Sequence, residues 1–244
     1  MGKIYGSVRN LLSFFCDGYI PLCNMRITTQ RNSDGKAEYL ECDLVKCRSE
    51  KQRAKDSPFY ISADALKTNF DHIWKKWTEL YETARPVASL FYGIVSGSSS
   101  GLNEFLNLTQ ALEVYSDRFR ENELKTALNK RPKDIKLWER LKDLLDLYNS
   151  YLGITDTGKL ADKLAKMRNY YTHYDKRRKE PTFSEVLAGG HILRTLLLIV
   201  IYSRVGVSDA YIIQARKIGT MQLFDDYYNL LLGKKNASNR SLTF

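Results

Sequence analysis

The sequence predicts a mainly α protein: a helical bundle over residues 58–233, a small α+β segment at 1–57 before it and a polar tail at 234–244. Three observations carry this. Beyond Phe59 the apolar residues recur almost everywhere at i, i+3, i+4 and i+7, the spacing of a helix stripe. Proline and glycine punctuate those stripes at intervals suited to short helix connections. Period-two runs, the mark of strands, are confined to residues 20–47.

The elements follow in order. Val8, Leu11, Leu12, Phe15 and Tyr19 share one face of a first helix, which Gly18 and Pro21 end. Ile20–Thr28 and Ala37–Cys47 read as strands joined by Asn32-Ser33-Asp34-Gly35, where Asp-Gly favours a hairpin turn. The charged stretch Arg48–Pro58 reads as a linker. Phe70, Ile73, Trp74, Trp77, Leu80 and Tyr81 then mark a helix that Pro86 divides from the apolar segment Val87–Val95. After the loop Ser96–Gly101, a helix from Leu102 to Arg120 carries Phe105, Leu108, Leu112, Tyr115 and Phe119. Pro132 and Asp134 open the next, with Ile135, Trp138, Leu141, Leu144, Leu145, Tyr148 and Leu152 on its face and Gly153 at its end. Two more run from Thr157 to Asp175 and from Ser184 to Val205. A short pair closes the bundle, and the tail from Lys234 to Phe244 reads as disordered. Stripes joined by short connections must bury against one another, which makes the bundle.

Composition narrows the function. At 43% hydrophobic and 12% aromatic residues, the chain of 244 residues is neither disordered nor collagen-like. The apolar run Leu196–Tyr202 lies between Arg194 and Arg204 and is far shorter than the ~20 residues of a membrane span. The first residues lack the pattern of a secretory signal, so the expected compartment is the cytoplasm. Thirty-eight basic against 28 acidic residues give a net charge of +10, which favours polyanions over a membrane surface, since no basic amphipathic helix is evident.

All four cysteines, Cys16, Cys23, Cys42 and Cys47, fall in the first fifth of the chain. Six residues separate Cys16 from Cys23, wider than the paired C-x2-4-C of zinc ribbons, Cys42 and Cys47 stand at its upper limit, and no His lies nearby, so packed reduced thiols are the reading, with zinc as the alternative. P-loop, dinucleotide, H-E-x-x-H and nucleophile-elbow motifs are all missing. Of the three histidines, His72 reads as a helix-surface residue and His191, beside Gly189-Gly190, as a packing one. His173 differs. It ends the string Arg168-Asn169-Tyr170-Tyr171-Thr172-His173 at the C-terminal end of an amphipathic helix, just before Lys176-Arg177-Arg178-Lys179. Asn169 and His173 share a helix face, whereas Arg168 lies about 140° from His173.

An Arg-x4-His string with Asn after the Arg, on the penultimate long helix of a bundle, resembles the HEPN ribonuclease superfamily. The wording of the string, with the Leu-rich helix and Gly206-Val207-Ser208 that follow, looks most like the ApeA branch of anti-phage HEPN proteins. The resemblance covers roughly residues 60–233. It implies a HEPN-like helical bundle and a metal-independent endoribonuclease that needs no cofactor and attacks RNA, tRNA among the candidates, through the ribose 2′-OH. It further implies an abortive-infection effector with a phage-derived trigger. One histidine per chain cannot supply both acid and base, so a homodimer with a composite site is expected. ApeA relatives carry a large β-rich domain before the bundle, so the chain reads as a C-terminal fragment or a short relative, and the segment 1–57 either as a remnant of that domain or as a small domain of its own.

Under this resemblance Arg168, Asn169 and His173 are the catalytic candidates. Lys166, Tyr171, Tyr174, Lys176, Arg177, Arg178 and Lys179 are the RNA-binding ones, the tyrosines dividing between base stacking and the core. Glu113 is the supporting residue, placed to pair with Arg168 across the bundle. Two rival readings stand beside it. One is a non-catalytic helical module that dimerises and binds nucleic acid or a partner; the other is an interaction module fused to a zinc-bearing domain.

Overall fold

The structure is a computed structural model that describes residues 2–18, 25–31, 37–42, 60–61, 63–173 and 179–233. Eleven helices are present among them: α1 (Gly2–Cys16), α2 (Ala63–Thr83), α3 (Arg85–Val95), α4 (Leu102–Phe119), α5 (Glu121–Leu128), α6 (Leu137–Leu147), α7 (Asn149–Leu152), α8 (Thr157–His173), α9 (Phe183–Arg204), α10 (Asp209–Ala215) and α11 (Phe224–Leu232). Short 3-10 turns at Pro132–Asp134 and Gly219–Leu223 join α5 to α6 and α10 to α11. The chain is mainly α, as its stripes predict.

Strands β1 (Met25–Arg31) and β2 (Ala37–Cys42) pair antiparallel, Met25 opposite Cys42 and Arg31 opposite Ala37, with an irregularity between Thr28 and Gln30. The expected strand ends at 20–24 and 43–47, the turn at 32–35, the linker at 48–58 and the tail at 234–244 lie outside the described residues.

α9 is the central helix. It is apolar on every side, the pattern of a helix enclosed by others, and Ile192, Leu193 and every residue from Leu196 to Tyr202 are fully buried. Although its 22 residues and mean hydropathy of 1.7 would suit a membrane span, 78% of that stretch is buried in the bundle. Reading only Leu196–Tyr202 understated its apolar length. α4 and α11 pack directly on it, α6 packs on α8, and α3 packs on α4. Gly189 marks the closest approach: a Cβ there would stand 2.9 Å from the Phe105 ring and 3.3 Å from Leu164.

α9 starts where local chemistry directs it. The Thr182 hydroxyl accepts from the Glu185 amide, and the Glu185 carboxylate accepts from the Thr182 amide, a reciprocal capping box. Pro86 sits in the first turn of α3, where its missing N–H costs nothing.

α1 belongs to the same core. Phe14 and Phe15 are fully buried, Phe14 stacks on Phe91 at 4.0 Å, and the Tyr202 hydroxyl donates to the Phe14 carbonyl. Trp77 donates its indole N–H to Ser7 at 2.9 Å. Tyr60 joins this core as well, its amide donating to the Phe15 carbonyl at 2.9 Å.

Two aromatics leave their expected stripe. Phe70 is 47% exposed and stacks on Trp74, and Trp138 is 37% exposed because it falls at the edge of the arc formed by Leu141, Leu144 and Leu145.

Candidate active site

Asp156 immediately precedes α8, and its carboxylate accepts from the Lys159 amide at 2.8 Å, capping the first turn. Leu160, Ala161, Leu164, Ala165 and Met167 form its buried face. One turn beyond Ala161, Leu164 and Ala165 the same side of the helix turns polar at Arg168.

Arg168 is therefore turned toward the bundle. Its Nη1 donates to the Asn169 side-chain oxygen at 3.3 Å and its Nη2 to Glu113 of α4 at 3.5 Å. The two charged side chains retain 28% and 31% exposure, so the pair is accessible to an incoming anion. The structure thus brings together three residues singled out in the sequence: Arg168, Asn169 and Glu113. His173 stands exposed at the last residue of α8, about 140° round the helix from Arg168. A single chain places the fork and the imidazole on different sides of α8.

Tyr171 anchors the end of the helix. It packs against the core, its hydroxyl donates to the Pro181 carbonyl at 3.2 Å, and its ring meets Tyr170 edge-on at 5.1 Å. Burial, followed by the nearby charge of Glu180, raises its hydroxyl above the ordinary tyrosine value. Thr172 donates back to the Arg168 carbonyl at 3.0 Å. Tyr174, Lys176, Arg177 and Arg178 lie outside the described residues, as do Cys23 and Cys47; Cys16 is a buried free thiol.

A groove of about 590 Å³ lies between α8 and the segment that leads into α9. Lys159, Lys163, Lys166 and Met167 line it from α8, and Lys179 and Pro181 from the segment before α9. Lys163 pairs with Glu185 at 2.5 Å and Lys166 with Asp162 at 2.6 Å. Burial works to raise the Glu185 carboxyl, and Lys163 with the Thr182 amide outweighs it, holding the group below the ordinary carboxylate range.

The other histidines serve packing. His72 is exposed and lies against the left-handed Gly206 (φ +86°), where a Cβ would stand 2.7 Å from its ring. His191 stacks flat on Tyr227 at 4.3 Å. Burial lowers its pKa, and the Arg194 charge adds to the effect.

One polar constellation escaped the sequence. Arg194 of α9 donates to Asp17 at 2.7 Å and to Glu104 of α4 at 3.0 Å, while Thr220 donates its hydroxyl to Asp17 at 2.8 Å. The Tyr60 hydroxyl completes the group, accepting from the Thr220 amide at 2.8 Å. The signal was a lone arginine inside the most apolar helix, since buried charge demands partners.

Residues 106–211, which include most of α4 and the whole of α5 to α9, match the family model described as Apea-like HEPN. No curated protein and no solved structure matches the chain. The matched stretch contains Arg168, Asn169, His173 and Glu113 together, and on these findings the chain carries an Apea-like HEPN domain at residues 106–211.

Proposed function

We propose that this chain is a HEPN endoribonuclease that cleaves RNA without a metal ion and acts as an abortive-infection effector against phage. One observation carries the reading: Arg168, backed by Asn169 and Glu113, offers a permanently charged planar fork at the edge of the core, and the same helix carries an exposed histidine on its other side.

The chemistry needs these groups. A base takes the proton of a ribose 2′-OH as that oxygen attacks the adjacent phosphorus. The P–O5′ bond breaks, and an acid delivers a proton to the departing 5′-oxygen. The products are a 2′,3′-cyclic phosphate and a 5′-OH. His173 suits proton transfer near neutral pH, and Arg168 suits the negative charge that builds on the phosphorane oxygens. Asn169 and Glu113 orient the guanidinium. Since the two catalytic side chains diverge by about 140° on α8, the reading includes a second copy of the chain that brings its own α8 to the same phosphate.

The test is incubation of the protein with total RNA or tRNA in EDTA. Cleavage that survives the chelator and falls by about 10³-fold in His173→Ala supports the reading. A substrate with a 2′-deoxyribose at the scissile position resists cleavage. Intact RNA, or equal cleavage by the variant, overturns it. The engagement of Arg168 by Glu113 favours a second reading, a non-catalytic helical module in which this pair shapes a binding face. Under it, Arg168→Ala changes assembly or RNA affinity while no condition yields cleavage.

A further inference from the structure

We propose that the groove along α8 is a subsite for single-stranded RNA that delivers the strand to His173, an inference that rests on the nuclease reading above. Its volume of about 590 Å³ lies within the range typical of ligand sites, about 300–1,000 Å³.

The helix register aligns the groove with the histidine. Lys159, Lys166 and His173 are spaced by seven residues, and seven residues turn an α-helix by only about 20° short of two full turns while rising ~10 Å. They form one stripe that runs from the groove to the last residue of α8. Arg168, nine residues from Lys159, lies about 180° away, on the bundle side. The groove therefore serves the imidazole side of the helix.

The charges divide into fixed and exchangeable ones. Lys163 and Glu185 are partly buried and bonded at 2.5 Å, with Glu185 also engaged in the cap of α9, so this pair belongs to the wall. The Lys166–Asp162 pair is 62% and 47% exposed, and exposed pairs of this spacing on a helix are worth little. A phosphate can replace Asp162 at Lys166 at small cost. Lys159 and Lys179 are exposed and form no ion pair among the described residues, although Glu180 stands beside Lys179 on the rim. Met167 and Pro181, both buried, complete the lining. Phosphate positions along a groove of this size match a flexible single strand better than a stiff duplex.

The experiment uses the full chain with His173→Ala, so that RNA stays intact, and a fluorescein-labelled single-stranded RNA of about twelve nucleotides. Anisotropy is followed across a salt series. Adding Lys159→Gln and Lys166→Gln weakens binding roughly tenfold at low salt and lowers the salt slope by about 1.4, the loss of two phosphate contacts to a single strand. Asp162→Asn, which frees Lys166, tightens binding about twofold. Lys75→Gln with Lys217→Gln removes the same charge from exposed positions on α2 and after α10 and leaves affinity nearly unchanged. Equal losses for the two lysine pairs, or no loss for the groove pair, overturn the subsite. The two readings fail separately. A wild-type chain that does not cleave, with groove-dependent binding intact, removes the nuclease and keeps the subsite; a cleaving chain whose KM ignores Lys159 and Lys166 does the reverse.

Discussion

A guanidinium inside an apolar helix is tolerated only where anions and acceptors meet it, and at Arg194 they do so from α1 and α4. Burial works against its charge; Asp17 and then Glu104 outweigh that and raise its pKa. Asp17 keeps only 2% of its side-chain exposure, so Arg194→Met strands a carboxylate in the core. The expected cost is about 3–5 kcal/mol in urea unfolding. Lys142→Ala, which removes an exposed pair with Asp146, costs under ~0.5 kcal/mol. His191 gives a pH prediction. Its folded pKa is lower than its unfolded one, so the unfolded chain binds more protons as pH falls below about 6.5, and stability declines until the folded pKa is passed. Melting temperatures of the wild type and His191→Gln should diverge on acidification, the wild type losing more. At this scale the sequence named Arg168, Asn169 and Glu113 as candidates and anticipated the pairing of Arg168 with Glu113, 55 positions away, whereas nothing in it pointed to Asp17, which lies 177 positions from Arg194.

Helices with a regular stripe were legible almost to the residue: α4 against Leu102–Arg120, α8 against Thr157–Asp175, α9 against Ser184–Val205. The start of α9 could have been placed better, because Thr182-x-x-Glu185 is a capping box in plain sequence. α5 was missed for a physical reason. Only Leu124 of its eight residues is buried, so it has no stripe to read. Gly189 could be read only as a small residue near His191, whereas in the fold it lets α9 meet Phe105 and Leu164. Two effects oppose each other in Gly189→Ala. Alanine gains about 0.8–1.0 kcal/mol of helix propensity, and overpacking costs about 1–3 kcal/mol. The clash outweighs the gain in propensity, so we expect a net loss near 1 kcal/mol and a melting temperature about 2–4 °C lower by calorimetry.

At the scale of the molecule, the surplus of ten positive charges acquires an address only through placement. The α8 groove offers lysines beside an exposed histidine, while other cations, Arg120 with Asp143 and Arg216 with Asp225 among them, are consumed in pairs that hold the bundle. The first helix also takes a new place. The sequence grouped it with the hairpin, and its packing joins it to α2, α3 and α9. Residues 15–17 and 60 meet at a neck, tied by the hydrogen bond from the Tyr60 amide to the Phe15 carbonyl and by that from the Tyr60 hydroxyl to Asp17. Replacing residues 19–59 with about six Gly/Ser residues should therefore leave a folded bundle. Shortening the loop that must close stabilises it by about 1–2 kcal/mol, readable as a higher urea midpoint. Collapse of the helical circular-dichroism signal would refute this.

The neck makes residues 18 and 60 a natural seam. Phe15 and Tyr60 are held together by a hydrogen bond, so an insert between 18 and 60 need only return to the point from which it departed. A fluorescent protein spliced in at that seam would ride on the bundle as a reporter while α8 and its histidine kept their surroundings.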